Sequence, residues 1–88
     1  MKIVETQRFR DEFDALPPPL QTRARKQLAL LLTNPRHRSL LVKKLKGYAN
    51  LWEGRLTDRY RFTFTWEGDT VILRRIGPHD IERRPGRA

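Results

Sequence analysis

Residues 51–64 read LWEGRLTDRYRFTF, and this stretch decides the fold of the chain. Its cationic and aromatic side chains alternate with the two-residue period of a β-strand, so one face of the sheet would be basic and the other apolar. A chain of 88 residues that places many positive charges on one sheet face indicates an anionic partner. The pattern favours RNA as that partner.

The loop within this stretch determines which side chains share a face. If residues 57–58 formed a two-residue loop, Arg55 would pair with Tyr60, and charges would lie opposite aromatic rings. If the loop spans residues 57–59, Arg55 pairs with Arg61 instead. Because a slip of one residue moves every side chain to the other face, burial of apolar groups favours the three-residue loop. The apolar face then carries Trp52, Gly54, Leu56, Tyr60, Phe62 and Phe64, and the opposite face, which we call the charged face, carries Glu53, Arg55, Arg61 and Thr63.

The sequence before this hairpin is typical of one short strand and two helices. Residues 2–5 favour a strand, and Thr6 is a suitable N-cap for the first helix. Pro17–Pro19 ends that helix and supplies the first turn of the next, which Asn34-Pro35 stops. The apolar positions are Phe9, Phe13 and Leu16 in the first helix, and Leu20, Ala24, Leu28, Leu31 and Leu32 in the second.

Four strands are predicted after Pro35, where the periodicity changes from helical to alternating; they are residues 40–46, 51–56, 60–66 and 70–76. The predicted fold class is therefore α+β, in the order β-α-α-β-β-β-β. A two-helix hairpin would pack on one face of a mainly antiparallel sheet. We expect a single domain over residues 1–82 and a basic, mobile tail over residues 83–88.

The composition limits the classes of function. The formal net charge is +9, from 19 Lys and Arg against 10 Asp and Glu, which favours nucleic acid or an acidic protein as partner. There is no cysteine, which excludes disulfides and thiolate metal sites. No apolar run approaches the ~20 residues that cross a bilayer, and residues 1–5 do not resemble a signal peptide. We therefore expect a cytoplasmic protein that does not bind membranes.

Placing Arg55 beside Arg61 on a solvent-facing sheet costs electrostatic energy, since opposed like charges are destabilising. A phosphate between the two guanidinium groups would explain the arrangement. Further cations are expected to bind the RNA backbone: Lys43, Lys44 and Lys46 on the preceding strand, Arg59 in the hairpin loop, and Arg74. The pattern does not decide whether Arg74 or Arg75 joins this surface.

His79 follows the last strand within Ile76–Asp80, at the sheet end nearest the charged face. Histidine titrates near pH ~6.5, so it can exchange a proton in the cell. With Glu53 as its partner, the set could cleave RNA through attack of the 2′-hydroxyl on the adjacent phosphate. That reaction uses no metal, and we expect neither a metal nor another cofactor. The simpler alternatives are an inert surface histidine, an ion pair of Glu53 with Arg55 or Arg61, and a solvated His37 in the polar loop before the second strand.

Over roughly residues 2–81 the chain resembles the RelE/ParE superfamily of toxins from bacterial and archaeal toxin–antitoxin modules. The resemblance lies in the strand–helix–helix start and in five short segments: Asn34-Pro35, Leu45–Gly47, Leu51–Leu56, Tyr60–Phe64 and Ile76–Asp80. It implies a microbial RNase-like fold, cleavage of mRNA in the ribosomal decoding site, and a cognate antitoxin that wraps the toxin.

The resemblance also implies roles for individual residues. Arg61 matches the family's arginine that contacts the scissile phosphate, Arg55 a basic residue on the preceding strand, and His79 an arginine or histidine near the C-terminus. Two positions depart from the pattern. Glu53 stands where RelE-like members carry a lysine, and no aromatic residue follows His79 within Ile81–Arg83. Besides an mRNA endonuclease, a ParE-like inhibitor of DNA gyrase and a non-catalytic, antitoxin-binding co-repressor therefore stay open.

Overall fold

The computed structural model describes residues 1–83, with two α-helices packed on one face of a five-stranded mixed sheet. The helices are α1, Gln7–Asp14, and α2, Pro18–Thr33. The strands are β1, Lys2–Glu5; β2, Lys43–Lys44; β3, Trp52–Arg55; β4, Tyr60–Glu67; and β5, Thr70–Pro78. Short 3₁₀ helices cover Arg38–Leu40 and His79–Arg83. The predicted α+β class and element order are confirmed.

The sheet order is β1-β5-β4-β3-β2, with β1 parallel to β5 and every other pair antiparallel. The predicted three-residue hairpin loop is confirmed, because Arg55 pairs with Arg61 and Gly54 with Phe62. Beyond that pair, the backbone N–H of Leu56 donates to the carbonyl of Tyr60. This register places the predicted apolar residues under the helices and the predicted charged residues on the other face.

The core lies between the two helices and the apolar face of the sheet. Phe9 and Phe13 of α1 and Leu31 of α2 pack there with Phe62 and Phe64 of β4. Thr6 caps α1 by accepting a hydrogen bond from the N–H of Phe9, and its hydroxyl donates to the carbonyl of Leu73 on β5. Pro18 begins α2 and Asn34 is its C-cap, as the sequence predicts. The ends of both helices are therefore determined by the capping and proline residues in the sequence.

Two predicted segments differ from the structure. The second strand spans only Lys43–Lys44 instead of residues 40–46, because a 3₁₀ helix occupies Arg38–Leu40 and Leu41 takes a left-handed backbone with φ 44°. The predicted tail, residues 83–88, begins at the last residue of the final 3₁₀ helix, and residues 84–88 lie outside the described residues. Within residues 1–83, neither helix has the length and apolar character needed to cross a membrane.

Gly54 is the position at which the central hairpin has the least space. A β-carbon built there would lie 2.6 Å from Cε1 of Phe62 and closer still to Cζ of the same ring. We expect Gly54→Ala to lower the free energy of unfolding by about 1–3 kcal/mol, because overpacking a dense core forces side chains off their rotamers. Urea denaturation followed by circular dichroism measures this loss.

The control is the same substitution in a Phe62→Leu background, where the aromatic ring is gone. The cost of Gly54→Ala should be clearly smaller there. Equal costs in the two backgrounds would mean that the ring of Phe62 does not determine the close packing at this position.

Candidate functional site

The charged face contains two rows of side chains that run across the strands. In the first row, Lys43 pairs with Glu53 across β2 and β3, and Glu53 pairs with Thr63 across β3 and β4. The next row consists of Arg55, Arg61 and Gly77. A cavity of about 140 Å³ opens between these rows and is lined by Leu41, Lys43, Glu53, Arg55 and Arg61. Three cations and one carboxylate therefore surround a space the size of a small anion.

Arg61 is fixed by the hairpin loop. Its Nη1 donates to the carbonyl oxygens of Thr57, Asp58 and Tyr60, the last two at 3.0 Å. Its Nε lies 3.8 Å from Oε1 of Glu53. Nη2 has no hydrogen-bond partner within residues 1–83, so it is the guanidinium nitrogen that a ligand can use. The sequence predicted a solvent-facing arginine, and this is wrong, since its side chain is only 10% exposed.

Arg55 lies beside Arg61 and is less constrained. Its side chain is 36% exposed, and Nη1 lies 3.5 Å from Oδ1 of Asp58, which is almost fully exposed. Its Nε–H is buried and donates to no acceptor in the described part of the chain. A buried donor without an acceptor costs free energy, so an anion in the cavity would satisfy this group.

Glu53 separates the cations of the charged face. Its side chain is 4% exposed, and Oε1 lies 3.8 Å from Nζ of Lys43 and 3.8 Å from Nε of Arg61. Glu53 is buried because β3 is an inner strand, so Lys43 and Thr63 flank it directly on both sides. The ion pair with Arg61 that the sequence left open as an alternative is present. Glu53 also lines the cavity.

His79 and Arg59 meet at the end of the sheet beyond Arg61. The backbone N–H of His79 donates to the carbonyl of Arg59 at 2.7 Å, which joins the last 3₁₀ helix to the hairpin loop. Both residues are exposed. His79 is not among the residues that line the charged-face cavity. His79 therefore lies at the end of the sheet that the sequence predicted, but it does not form part of the cavity wall.

The remaining predicted cations are dispersed. Lys43 is opposite Glu53 on the charged face, whereas Lys44 is opposite Trp52 and so points to the other side of the sheet. Lys46 lies in the turn after β2. The predicted placement of these three lysines on one strand is wrong for Lys46, and of the three only Lys43 lines the cavity.

A β-bulge settles which of the two arginines of β5 joins the charged face. The register shifts between Thr63 and Phe64, so that Arg74 has no direct partner on β4. Nε and Nη2 of Arg74 both donate to Oγ1 of Thr65, at 3.3 and 3.2 Å, on the charged-face side of β4. Arg75 instead binds Glu12 of α1. Arg74 thus joins the charged face, although not the cavity.

Comparisons with solved structures assign the fold. A chain of the RelB–RelE antitoxin–toxin complex from Methanococcus jannaschii superposes with a TM-score of 0.75 and 22% identity, over 92% of this chain and 95% of that one. The YoeB/ParE toxin from Agrobacterium tumefaciens gives 0.76 and 20%, over 90% and 99%. The isolated E. coli RelE toxin gives 0.71 and 20%, over 88% and 82%. This chain has the fold of the RelE toxins.

The predicted resemblance to the RelE/ParE superfamily is thereby confirmed for the fold. No protein-family model matches the sequence, and a search of curated protein sequences finds no match. At these identities the likeness extends to the backbone alone. The chemistry of the site therefore has to be argued from the residues of this chain.

The sequence-based prediction missed Gln27 and placed His37 in the wrong environment. Gln27 of α2 is buried, and its Nε2 donates to the carbonyls of Ser39 and Arg55, at 3.3 and 3.0 Å, which ties α2 to the first 3₁₀ helix and to the end of β3. His37, expected to be solvated, is half-buried, and its Nδ1 accepts from the N–H of Ser39 at 3.1 Å. Only the helical position of Gln27, on the same side as Ala24 and Leu31, could have indicated the first contact.

The Glu53–Arg61 pair should stabilise the protein far more than the exposed Arg55–Asp58 pair. A double-mutant cycle with Glu53→Gln and Arg61→Met should give a coupling of about 1–3 kcal/mol, because breaking a buried pair strands a charge. The matched cycle with Arg55→Met and Asp58→Asn should give at most about 0.5 kcal/mol. Urea denaturation of the four variants in each cycle measures both. Equal couplings would contradict the burial of the first pair.

Proposed function

We propose that this protein is the toxin of a toxin–antitoxin system and that it cleaves mRNA on the ribosome without a metal. The observation that carries the proposal is the cavity of the charged face, where Arg55, Arg61 and Glu53 meet. The RelE fold supports it, since the superposed chains come from proteins described as toxins.

The two arginines suit a phosphate. Nη2 of Arg61 and the buried Nε of Arg55 are donors without partners in residues 1–83, and both side chains line one small cavity. A phosphate oxygen accepts strongly from guanidinium groups, which stay charged at any cellular pH. The bonds from Arg61 to the hairpin loop hold its side chain in place before RNA arrives. Such preorganised cations stabilise the charge that develops on phosphorus in the transition state.

Glu53 and His79 supply the proton transfers of the proposed reaction. The Glu53 carboxylate takes the proton of the 2′-hydroxyl, and the 2′-oxygen then bonds to phosphorus. The bond from phosphorus to the 5′-oxygen breaks, and His79 in its protonated form donates a proton to that leaving oxygen. The products are a 2′,3′-cyclic phosphate and a free 5′-hydroxyl. The proposal requires RNA to extend from the cavity to the end of the sheet where His79 lies.

Charge supports both proposed partners. A chain of net charge +9 attracts the mRNA and ribosomal RNA of the decoding site, and an acidic antitoxin would be attracted by the same field. The solved RelB–RelE chain belongs to an antitoxin–toxin complex. An antitoxin that covers the charged face would silence this protein, and ribosome binding places its action in the cytoplasm.

One observation favours a second candidate, a non-catalytic module that binds antitoxin and co-represses its operon. Arg61 is already bonded to three carbonyls and paired with Glu53, as expected of a purely structural arginine. A ParE-like gyrase inhibitor would share this feature. The experiments below separate these candidates from an endonuclease.

Primer extension on mRNA incubated with purified ribosomes tests the endonuclease. We expect new 5′ ends with the wild-type protein that depend on ribosomes. Arg61→Lys should lower the cleavage rate by about 10²-fold or more, since losing one transition-state donor has that effect. His79→Ala should lower it by about 10²–10⁴-fold, the usual contribution of a general acid.

Arg8→Ala, on the exposed side of α1, is the matched control and should cleave like wild type. Thermal melts confirm that each variant is folded. Absence of cleavage by folded wild-type protein would contradict the proposal, and a gyrase supercoiling assay would then distinguish the remaining two candidates.

A 2′-deoxy sugar at the cut site tests the chemistry. Ribosomes carrying mRNA with that single substitution should protect the bond completely, because the attacking oxygen is missing. Unmodified mRNA, and mRNA with the deoxy sugar one nucleotide away, serve as controls and should be cut. Cleavage at the deoxy position would show that water or another group attacks the phosphate.

A further inference from the structure

A second cavity lies at the β2 edge of the sheet and plays no part in the proposed chemistry. Its volume is about 410 Å³, within the range of pockets that bind small organic groups. Its walls include Arg36, His37, Arg38, Leu41, Val42 and Trp52. Within residues 1–83 no carboxylate lines it, whereas Glu53 lines the charged-face cavity. The larger cavity is therefore both more apolar and uniformly basic.

The two cavities meet at Leu41, which lines both of them. Trp52 and Glu53 are consecutive on β3, so their side chains point to opposite faces of the sheet. β2 has only two residues and forms the edge of the sheet, so a ligand on one face can pass around it to the other. A single strand of RNA with its phosphate beside Arg61 would follow this edge to reach Trp52.

Leu41 is held at this junction in an unfavourable state. Its backbone has φ 44°, a region that leucine rarely adopts, and its side chain is 53% exposed. Both features cost free energy in the isolated protein. An apolar ligand surface placed against Leu41 would recover part of that cost.

The polar groups of the cavity are already oriented. The N–H of Ser39 donates to Nδ1 of His37, so the neutral imidazole carries its proton on Nε2 and is a donor. Nε1 of Trp52 donates to Oδ1 of Asn50 at 3.3 Å, which fixes the indole ring. Single-stranded RNA is bound by an aromatic surface for the base, a donor for its edge and cations for the backbone. This cavity has all three.

We propose that the cavity at Trp52 holds the nucleotide next to the scissile phosphate, with its base against Trp52 and Leu41 and its edge at His37. Arg36 and Arg38 bind the adjoining phosphate. The inference rests on the proposed function, since it takes the scissile phosphate to lie beside Arg61. It makes the α2–β2 connection the part of the chain that selects where mRNA is cut.

His37→Asn is the decisive variant. Asparagine can still accept from the N–H two residues ahead, so the turn is kept while the ring donor is lost. Sequencing of the cut ends on programmed ribosomes gives the preference for each base beside the cut. We expect the wild-type protein to prefer particular bases and His37→Asn to reduce that preference about 10-fold. The two proteins should cleave the least preferred sites at similar rates. An unchanged preference profile would overturn the inference.

Arg36→Ala/Arg38→Ala tests the backbone contact against Arg8→Ala/Lys26→Ala, which removes the same charge from exposed helix positions. The Arg36→Ala/Arg38→Ala variant should raise KM at least 10-fold more than the control variant does, with kcat little changed. Equal effects of the two pairs would mean a diffuse charge effect and no site. If only the first pair weakens binding of a polyglutamate peptide while RNA cleavage is unchanged, the cavity is a protein-docking site, and the inference is wrong.

Photo-cross-linking separates failure of this inference from failure of the proposed function. A short RNA with 4-thiouridine beside a 2′-deoxy cut site, free or on ribosomes, should cross-link to the peptide that contains Trp52 or His37. Cross-links confined to other peptides would overturn the inference even if mRNA is cleaved. If mRNA is not cleaved, the same cross-link still shows whether this cavity binds a nucleotide.

Discussion

The Arg61 guanidinium joins the hairpin loop to the charged face by donating to the carbonyl oxygens of Thr57, Asp58 and Tyr60. These bonds fasten the three-residue loop in the register that buries the apolar face of β3 and β4. That register places Phe62 over Gly54 in the core and Arg55 beside Arg61 on the opposite face. The packing of the sheet and the composition of the site therefore follow from the same register.

The same geometry explains how a small domain tolerates adjacent arginines. Glu53 lies within 3.8 Å of both Arg61 and Lys43, so the buried part of the charged face is partly neutralised. Arg55 is paired with the exposed Asp58, while its Nε lacks an acceptor within the described residues. An RNA phosphate would bind where the protein has left positive charge and an unused donor. Binding would then require little rearrangement, which favours preorganised catalysis.

Much of the fold could be predicted because local rules and burial agree. The N-cap at Thr6, the prolines before α2 and the three-residue loop each follow from residue chemistry or from one buried face. The short β2 could not be predicted, since it depends on the left-handed backbone of Leu41, which no residue preference indicates.

The site was predicted less completely. Alternation places Glu53 and Arg61 on one face but does not show that neighbouring strands bury them. The bulge after Thr63, which separates Arg74 from Arg75, has no signal in the sequence. The contacts of Gln27 join segments far apart in sequence, so they emerge only from the tertiary structure.

The central claim is that RNA places its scissile phosphate between Arg55 and Arg61. The most direct test is an electron cryo-microscopy structure of this protein on a ribosome whose mRNA carries a 2′-methoxy group at the cut site and cannot be cleaved. We expect the phosphate following that sugar to lie within hydrogen-bond distance of Nη2 of Arg61 and Nε of Arg55, with Glu53 beside the 2′-oxygen. A complex in which the charged face contacts only ribosomal RNA or protein, with the mRNA elsewhere, would contradict it.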